Sequence, residues 1–310
     1  MIISGGALKK AIQLSSYVLF FNLLFITKVL AVETIVIATS RYNSTDYRHL
    51  TNDVPCYKQA KYQPITSKYR GAIDIHMLCQ LFNAVNFPVT FVFTPAFDYT
   101  SAVKLVKQGK ADMIAETAWS NLISNKVLKS APIYKKNEYE LGIYTTLEKT
   151  TTLKINTAHD FNILTGVSNK LWGNDWKLLQ TLKTQNMLSA NNALTMFRLV
   201  KYNNADFVLW PFYYQSDDMS YTLTVADRKD QQYYKLYPVP NIKLTMPYSR
   251  HYILSGVTPR SELIMETLNK GIERLSNAGK IRQLYIDCGF LSDKTKDWKT
   301  IELTNTKNGQ

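Results

Sequence analysis

The chain has 310 residues, enough for two domains of ordinary size. Its 45% hydrophobic and 20% charged content excludes a globally disordered polymer. The formal net charge of +13 is spread along the chain with no long Lys/Arg block, which argues against a nucleic-acid partner.

Lys9 and Lys10 precede an apolar run from Ala11 to Ile26, and Val29-Leu30-Ala31 has the residue types of a secretory cleavage site. This predicts a signal peptide over residues 1–31, cleaved after Ala31, and a mature protein in a bacterial periplasm. The competing reading is an uncleaved anchor. Gln13, Ser15, Ser16 and Asn22 oppose it, as does a run shorter than the ~20 residues that span a bilayer. No cysteine marks the site for a lipid anchor. Cleavage removes three lysines and no acid, leaving a charge of +10.

Glu33 to Ala38 is a β-branched run suited to a buried strand. Thr39 to Arg70 is polar and carries Pro55 and Pro64, so a long irregular loop is expected. Gly71 to Asn86 follows as an apolar helix, and Pro88 to Phe93 as a second strand. Tyr99 to Trp119 is the most informative stretch: a helix with Ala102, Val103, Leu105 and Val106 at helical spacing, a stop at Gly109, then the short strand Asp112 to Ala115 ending at Glu116. Such a unit offers polar groups at a strand's C-terminal edge, where open α/β sheets bind ligands. Leu141 to Tyr144 is another strand, and the Thr- and Lys-rich stretch Glu148 to Thr157 is expected to cross between domains.

The pattern then recurs. Phe161 to Val167 is a strand, and Ser168-Asn169 can cap a helix from near Leu171. Asn191 or Asn192 can cap the helix Ala193 to Lys201, which leads into the strand Ala205 to Trp210. ADFVLW echoes ADMIAE, so two similar α/β lobes are expected. Tyr252 to Leu254 and the helix Ser261 to Asn277 close the fold, with Gly279 as a stop and a frayed polar tail after Phe290.

Cys56, Cys79 and Cys288 match no zinc or redox spacing; an oxidising compartment permits one disulfide, and the sequence does not choose the pair. His49, His76, His159 and His251 show no ligand spacing, so no metal or cofactor is expected. There is no G-x-S-x-G, H-E-x-x-H, Walker loop or dinucleotide fingerprint, and the adjacent Asp217 and Asp218 would point apart in most conformations. The chain does not read as an enzyme.

The ordered segments ETIVIATS, YRGAIDIHMLCQLF, YTSAVKLVKQGKADMIAE, KSAPIYKKNEYELGIYTT, FNILTGVSN, NNALTMFRLVKYNNADFVLW and LIMETLNKGIERLSNAGKIRQLYIDCGF resemble the type II periplasmic solute-binding proteins, in the family 3-like branch of polar amino-acid binders. The resemblance covers most of Glu33 to Phe290. It implies an α/β fold of two Rossmann-like lobes joined by two crossing strands, with lobe 1 at 32–147 plus 244–310 and lobe 2 at 148–243. It further implies a monomer that captures a small molecule in the interlobe cleft and presents it to an ABC importer. The alternative is a ligand-sensing or interaction module partnered with a membrane sensor.

Where such proteins place an Arg for the ligand's carboxylate, this chain has Glu116 to Lys126 without one. Where they place an Asp for the ammonium, it has Pro211 and Phe212. A free amino acid is therefore a poor expectation. The strand ends instead supply Arg41 and Tyr42, Glu116 and Trp119, then Ser168, Asn169 and Trp172, then Trp210 and Phe212, with Tyr134 before the first crossing strand. The expected site is an aromatic-walled cleft in which Trp119 and Trp210 approach each other from opposite lobes. The opposing readings put Trp172 and Trp176 in the lobe-2 core, Tyr134 in hinge packing, and Arg41 in a pair with Asp46.

Overall fold

The computed structural model describes residues 31–67, 69–212, 222–227, 232–288 and 290–303. Residues 1–30 of the signal-peptide expectation and the Asp217–Asp218 pair lie outside them. Among the described residues no helix is long and apolar enough to cross a membrane.

The chain opens with β1 (Glu33–Thr39), α1 (Arg41–Leu50) and α2 (Arg70–Ala84), then β2 (Val89–Pro95), α3 (Tyr99–Lys107), β3 (Met113–Ile114), β4 (Ala118–Trp119) and β5 (Val127–Tyr134). β6 (Glu140–Thr145) leads to α4 (Leu147–Thr152), β7 (Thr165–Ser168), α5 (Gly173–Leu182), β8 (Asn186–Ser189), α6 (Ala193–Lys201), β9 (Phe207–Pro211), β10 (Leu223–Asp227), β11 (Gln232–Pro238) and β12 (Ile242–Thr245). β13 (Arg250–Ser255), α7 (Ser261–Asn277), α8 (Lys280–Asp287) and β14 (Lys299–Thr300) complete it.

Two sheets result. The first runs β2-β1-β3-β13-β4, with β5 on β13; the second runs β10-β11-β6-β9-β7-β8, with β12 on β6 and β14 on β12. The chain leaves the first sheet through β5 into β6 and returns through β12 into β13. β6 and β12 are antiparallel neighbours, with Leu141 opposite Leu244.

The ADM/ADF echo has a structural meaning. Asp112 exchanges two bonds with Val36 of β1, accepting from its N–H at 2.7 Å and donating its own N–H to the Val36 carbonyl at 2.8 Å. Asp206 makes the same pair with Thr165 of β7, both bonds at 2.8 Å. Each carboxylate also meets a cation, Arg260 for Asp112 and Lys149 for Asp206. The repeated aspartates thus lock neighbouring strands and are not ligand groups.

α2 is buried on nearly every side, from Gly71 to Asn83. Its polar residues bind the preceding loop: His76 Nε2 meets the Gln63 carbonyl, Gln80 accepts from the Tyr62 N–H, and Asn83 donates to the Cys56 carbonyl at 3.0 Å. A Cβ on Gly271 of α7 would stand 2.3 Å from the Leu81 carbonyl oxygen, so only glycine permits these two helices to touch.

Several expectations are corrected. The loop predicted over Thr39 to Arg70 contains α1, capped by Ser40 Oγ on the Asn43 N–H; its polar sequence hides it because only Asn43 and Tyr47 are buried. Glu148 to Thr157 is not a crossing segment: it holds most of α4, and β6 and β12 cross. A 3-10 turn at Ala158–Ile163 replaces the first part of the strand expected from Phe161. Ser168 and Asn169 do not cap α5, whose N-cap is Trp172; Asn169 Oδ1 accepts from the Leu171 N–H at 2.8 Å in the turn ahead of it. The tail after Phe290 is tied down through β14 and buried Ile301, with residues 304–310 outside the described set.

Cys56 and Cys79 form a disulfide and Cys288 is a buried free thiol. The bond closes a loop 23 residues apart in sequence, and Cys79→Ser is expected to cost about 3 kcal/mol through the greater freedom of the unfolded chain. Urea unfolding of the two proteins checks this; equal midpoints would contradict it.

Candidate functional site

A cluster of charged and aromatic side chains collects where β4, β5 and β13 meet the start of α2. Arg70 is the first residue of α2 and Arg250 the first of β13. The Arg250 guanidinium lies 4.5 Å from the Trp119 ring centre and 5.9 Å from that of Tyr139. Arg70 lies 5.0 Å from Tyr139 and 5.3 Å from Tyr134. Tyr139 therefore faces both cations, and the aromatic rings hold the two guanidinium planes.

The hydrogen bonds around the two arginines are unequal. Arg250 donates from Nε to Thr117 Oγ1 at 2.9 Å and from Nη2 to the Thr117 carbonyl. Arg70 stands 3.6 Å from Asp74, beyond hydrogen-bond length, and its buried Nε and Nη2 have no acceptor among the described residues. The buried Tyr134 hydroxyl beside it likewise finds no partner among the described residues. Asp74 is occupied by the Thr117 N–H at 2.9 Å, the Thr117 hydroxyl at 3.3 Å and the Tyr285 hydroxyl at 2.7 Å.

Glu116 and Asp175 border the cluster. Glu116 accepts from Asn43 Nδ2, and burial raises its pKa. Gly71 makes that contact possible, since a Cβ there would overlap the Asn43 amide. Asp175 is in the first turn of α5 in the second lobe, and burial lifts its carboxyl to about 6 against the pull of Arg250 and Arg70. Burial, with Arg70 as a like charge, lowers the pKa of Arg250. Asp74 offsets part of that repulsion.

The lobes meet beside this cluster. Asn121, just after Trp119, donates to Asn174 Oδ1 at 2.7 Å and accepts from Asn174 Nδ2 at 3.0 Å. The ammonium of Lys177, one turn on, lies 5.8 Å from the Tyr248 ring centre. An open groove of about 600 Å³ shares Asn174 and also has Lys136, Lys177, Tyr248 and Glu302 on its walls, but neither arginine of the cluster.

Among the residues expected from sequence, Glu116 and Trp119 are in the cluster. Tyr134 is there too, but it is 2% exposed and packs on Tyr285 at 4.7 Å, so its ring is part of the wall behind Arg70. Phe212 is corrected to a core residue: it is 3% exposed, between Tyr144 and Trp298. Trp210 packs edge-on against Phe197 at 4.8 Å and beside Trp172 at 5.8 Å. Trp172 is 37% exposed, which removes it from the lobe-2 core. Trp119 offers a ring face to Arg250, so the expected open indole wall is used to seat a cation. Ser168 and Asn169 are buried at the end of β7, where the Ser168 carbonyl accepts from Ala190 and Asn169 donates to the Asn191 carbonyl.

Arg41 is exposed on α1 and makes no ion pair among the described residues, while Tyr42 is exposed and stacks on Tyr69 at 5.9 Å. Asp46, its expected partner, accepts from Ser67. Sequence reasoning missed Arg70, Arg250, Tyr139, Asp74 and Asp175. The cation it placed in the cleft was Arg41; the cations gathered in this cluster, Arg70 and Arg250, arrive from elements other than the Glu116 to Lys126 loop. Among the described residues no group of three His, Cys, Asp or Glu side chains is placed to hold a metal.

No family model matches the chain, and no curated protein matches it in sequence. Solved structures do. The probable amino-acid ABC transporter extracellular-binding protein ytmK of Bacillus subtilis superposes with a TM-score of 0.53 at 14% identity, over 85% of this chain and 99% of that one. Substrate-binding domain 2 of Lactococcus lactis GlnP, in its open conformation, gives 0.48 at 16% identity over 85% and 97%. The unliganded L-cystine receptor of Neisseria gonorrhoeae gives 0.46 at 14% over 86% and 96%. Together with the two sheets and their paired crossing strands, the first of these shows the type II periplasmic-binding-protein fold.

Proposed function

We propose that the protein is a solute-binding protein that closes two lobes on a small molecule bearing an anionic group. Arg70 and Arg250 are the grip, and export to the periplasm and delivery to an ABC importer complete the role. One observation carries this reading: Arg70, half-buried at the lobe junction, holds two buried N–H donors, Nε and Nη2, that no atom of the described residues accepts. Leaving such donors unmet costs more than an ordinary hydrogen bond gains, so an acceptor from a bound molecule is worth more here than at a solvated arginine.

Delivery to an importer is supported by the ABC-transporter name of the Bacillus subtilis protein. In this reading lobe 1 spans 32–147 plus 244–310 and lobe 2 spans 148–243. The sheets support that division, except that β6 and β14 pair within the second sheet. A ligand touching both lobes favours the closed arrangement by its differential affinity for it.

Thermal-shift screening of the protein from Val32 onward against a metabolite library tests the reading. A ligand at a hundred times its dissociation constant adds ~2.7 kcal/mol of stability, and anionic compounds are expected to supply the hits. A library in which no anion stabilises the protein, or one whose hits persist in Arg70→Ala/Arg250→Ala, contradicts it.

A further inference from the structure

Two strands suffice to join the lobes, yet the chain runs between them a third time. We propose that residues 290–303 are a strap across the hinge. Anchored at one end on the first lobe and at the other on the second, they restrain the lobes from swinging apart and bias the empty protein toward the arrangement in which Asn121 meets Asn174.

The strap can be followed along the chain. Phe290 and Leu291 are buried, and both donate their N–H to the Tyr285 carbonyl of α8, at 2.8 and 3.1 Å. Asp293 adds an exposed ion pair with Arg282 of the same helix at 2.9 Å. That end belongs to the first lobe. Thr295, fully buried, then lies across both crossing strands: its hydroxyl donates to Glu140 Oε2 of β6 at 2.6 Å, and its carbonyl accepts from Lys243 Nζ of β12 at 2.7 Å. The same ammonium pairs with Glu140 Oε1 at 2.7 Å. The Trp298 ring packs edge-on against Phe212 of the second lobe, with centres 5.3 Å apart, and Lys299 Nζ donates to the Asn156 carbonyl at 3.0 Å. β14 runs parallel to β12, so the two crossing strands become three. Ile301 and Leu303 beyond it line the groove that also contains Asn174.

Lobes joined by two strands alone can turn through a few backbone torsions at the strand ends. A third connection opposes this if it has no slack. Fully extended, the seven steps from Leu291 to Trp298 would reach about 25 Å. They are folded into turns instead: the Lys296 N–H returns to the Asp293 carbonyl at 3.2 Å and the Trp298 N–H to the Thr295 carbonyl at 3.0 Å. Thr295 pins the middle, so these turns cannot lengthen to follow an opening lobe without breaking its bonds to Glu140 and Lys243. That pair is largely out of water, with side chains 18% and 6% exposed, and withdrawal of Thr295 leaves a buried ammonium short of an acceptor. The weaker end is on the second lobe, where Trp298 is half-buried and Lys299 exposed. Opening therefore works against Trp298 first. Contacts made in one arrangement and lost in another shift the equilibrium by their difference. The strap acts whatever the ligand is and does not rest on the anion grip.

The test measures the interlobe distance without ligand. Spin labels at the exposed positions Lys104→Cys on α3 and Gln180→Cys on α5 report it by pulsed electron resonance; Cys288 is buried and the other two cysteines are bonded to each other, so none takes up label. Trp298→Ala frees the second-lobe end, Thr295→Val frees the middle with little change of shape, and Lys296→Ala, at an exposed position of the strap, is the control. Trp298→Ala and Thr295→Val are each expected to raise the ratio of wide to lobe-contacting molecules about 5-fold or more, the size of ordinary coupling between two parts of a protein. The control should match the parent. An unchanged distribution in either folded variant, or a shift to shorter distances, overturns the strap. If Trp298→Ala loses its cooperative melting transition, Thr295→Val decides alone. With no ligand present, neither result bears on the anion-binding reading, which the library screen decides separately.

Discussion

Asp74→Ala is expected to lower the folding free energy by about 3–5 kcal/mol, the range for breaking a buried charged network by removing one partner. The carboxylate is fully buried and joins three parts of the first lobe: α2, which bears it, the Thr117 segment between β3 and β4, and Tyr285 of α8. Its own backbone carbonyl accepts from the Tyr252 hydroxyl of β13 at 2.5 Å. Truncation strands the Thr117 N–H and the Tyr285 hydroxyl in the interior and leaves Arg70 without its nearest anion. Asp74→Asn keeps the shape and an acceptor, so it should lie between the two. Denaturant unfolding of the three proteins measures the order; a loss below 1 kcal/mol in the alanine variant would show the network to be dispensable.

Arg70→Ala has the opposite profile. Ligand affinity is expected to fall ~30-fold or more, because the variant loses a desolvated charge partner of the ligand. Stability of the unliganded protein should change far less than in Asp74→Ala, since the side chain takes with it two buried donors that have no acceptor among the described residues. The Tyr134 and Tyr139 rings lose a cation–π contact in exchange, a smaller effect. Calorimetry with a hit from the library, beside the melting temperature without it, separates the two quantities. An unaltered affinity with a strongly lowered melting temperature would make Arg70 a structural cation and displace the site.

The fold was legible because its elements are local. The helix Ser261–Asn277 and the helix Ala193–Lys201 with its Asn192 cap stand as their periodicity and capping residues require. Glu33–Thr39 is a buried β-branched strand, one residue longer than expected. α1 escaped notice because RYNSTDYRHL buries only two side chains, so tertiary contact with α2 and not an apolar stripe holds it.

The site was less legible because nothing local marks it. Arg70 and Arg250 belong to different elements, and each is placed by rings supplied from elsewhere: Tyr134 and Tyr139 for one, Trp119 and Tyr139 for the other. One signal was present. Arg70 is a cation in the first turn of a helix, where the macrodipole disfavours positive charge, and such a cost at the head of a buried helix points to a use for the charge. The two aspartates of the ADM/ADF echo were read correctly as a repeat, and the structure gives them a strand-locking role.

The Asn121–Asn174 pair has a bearing on how affinity is set. It joins the lobes through two neutral bonds that involve neither arginine, so part of the free energy of closure is independent of what is bound. Apparent affinity is the intrinsic value scaled by the fraction of molecules already in the binding-competent form. Changes at this amide pair should therefore multiply the dissociation constants of all ligands by one common factor. Under the proposed reading, strength can then be adjusted at the rim of the cleft while the arginines and the groups around them decide between one ligand and another.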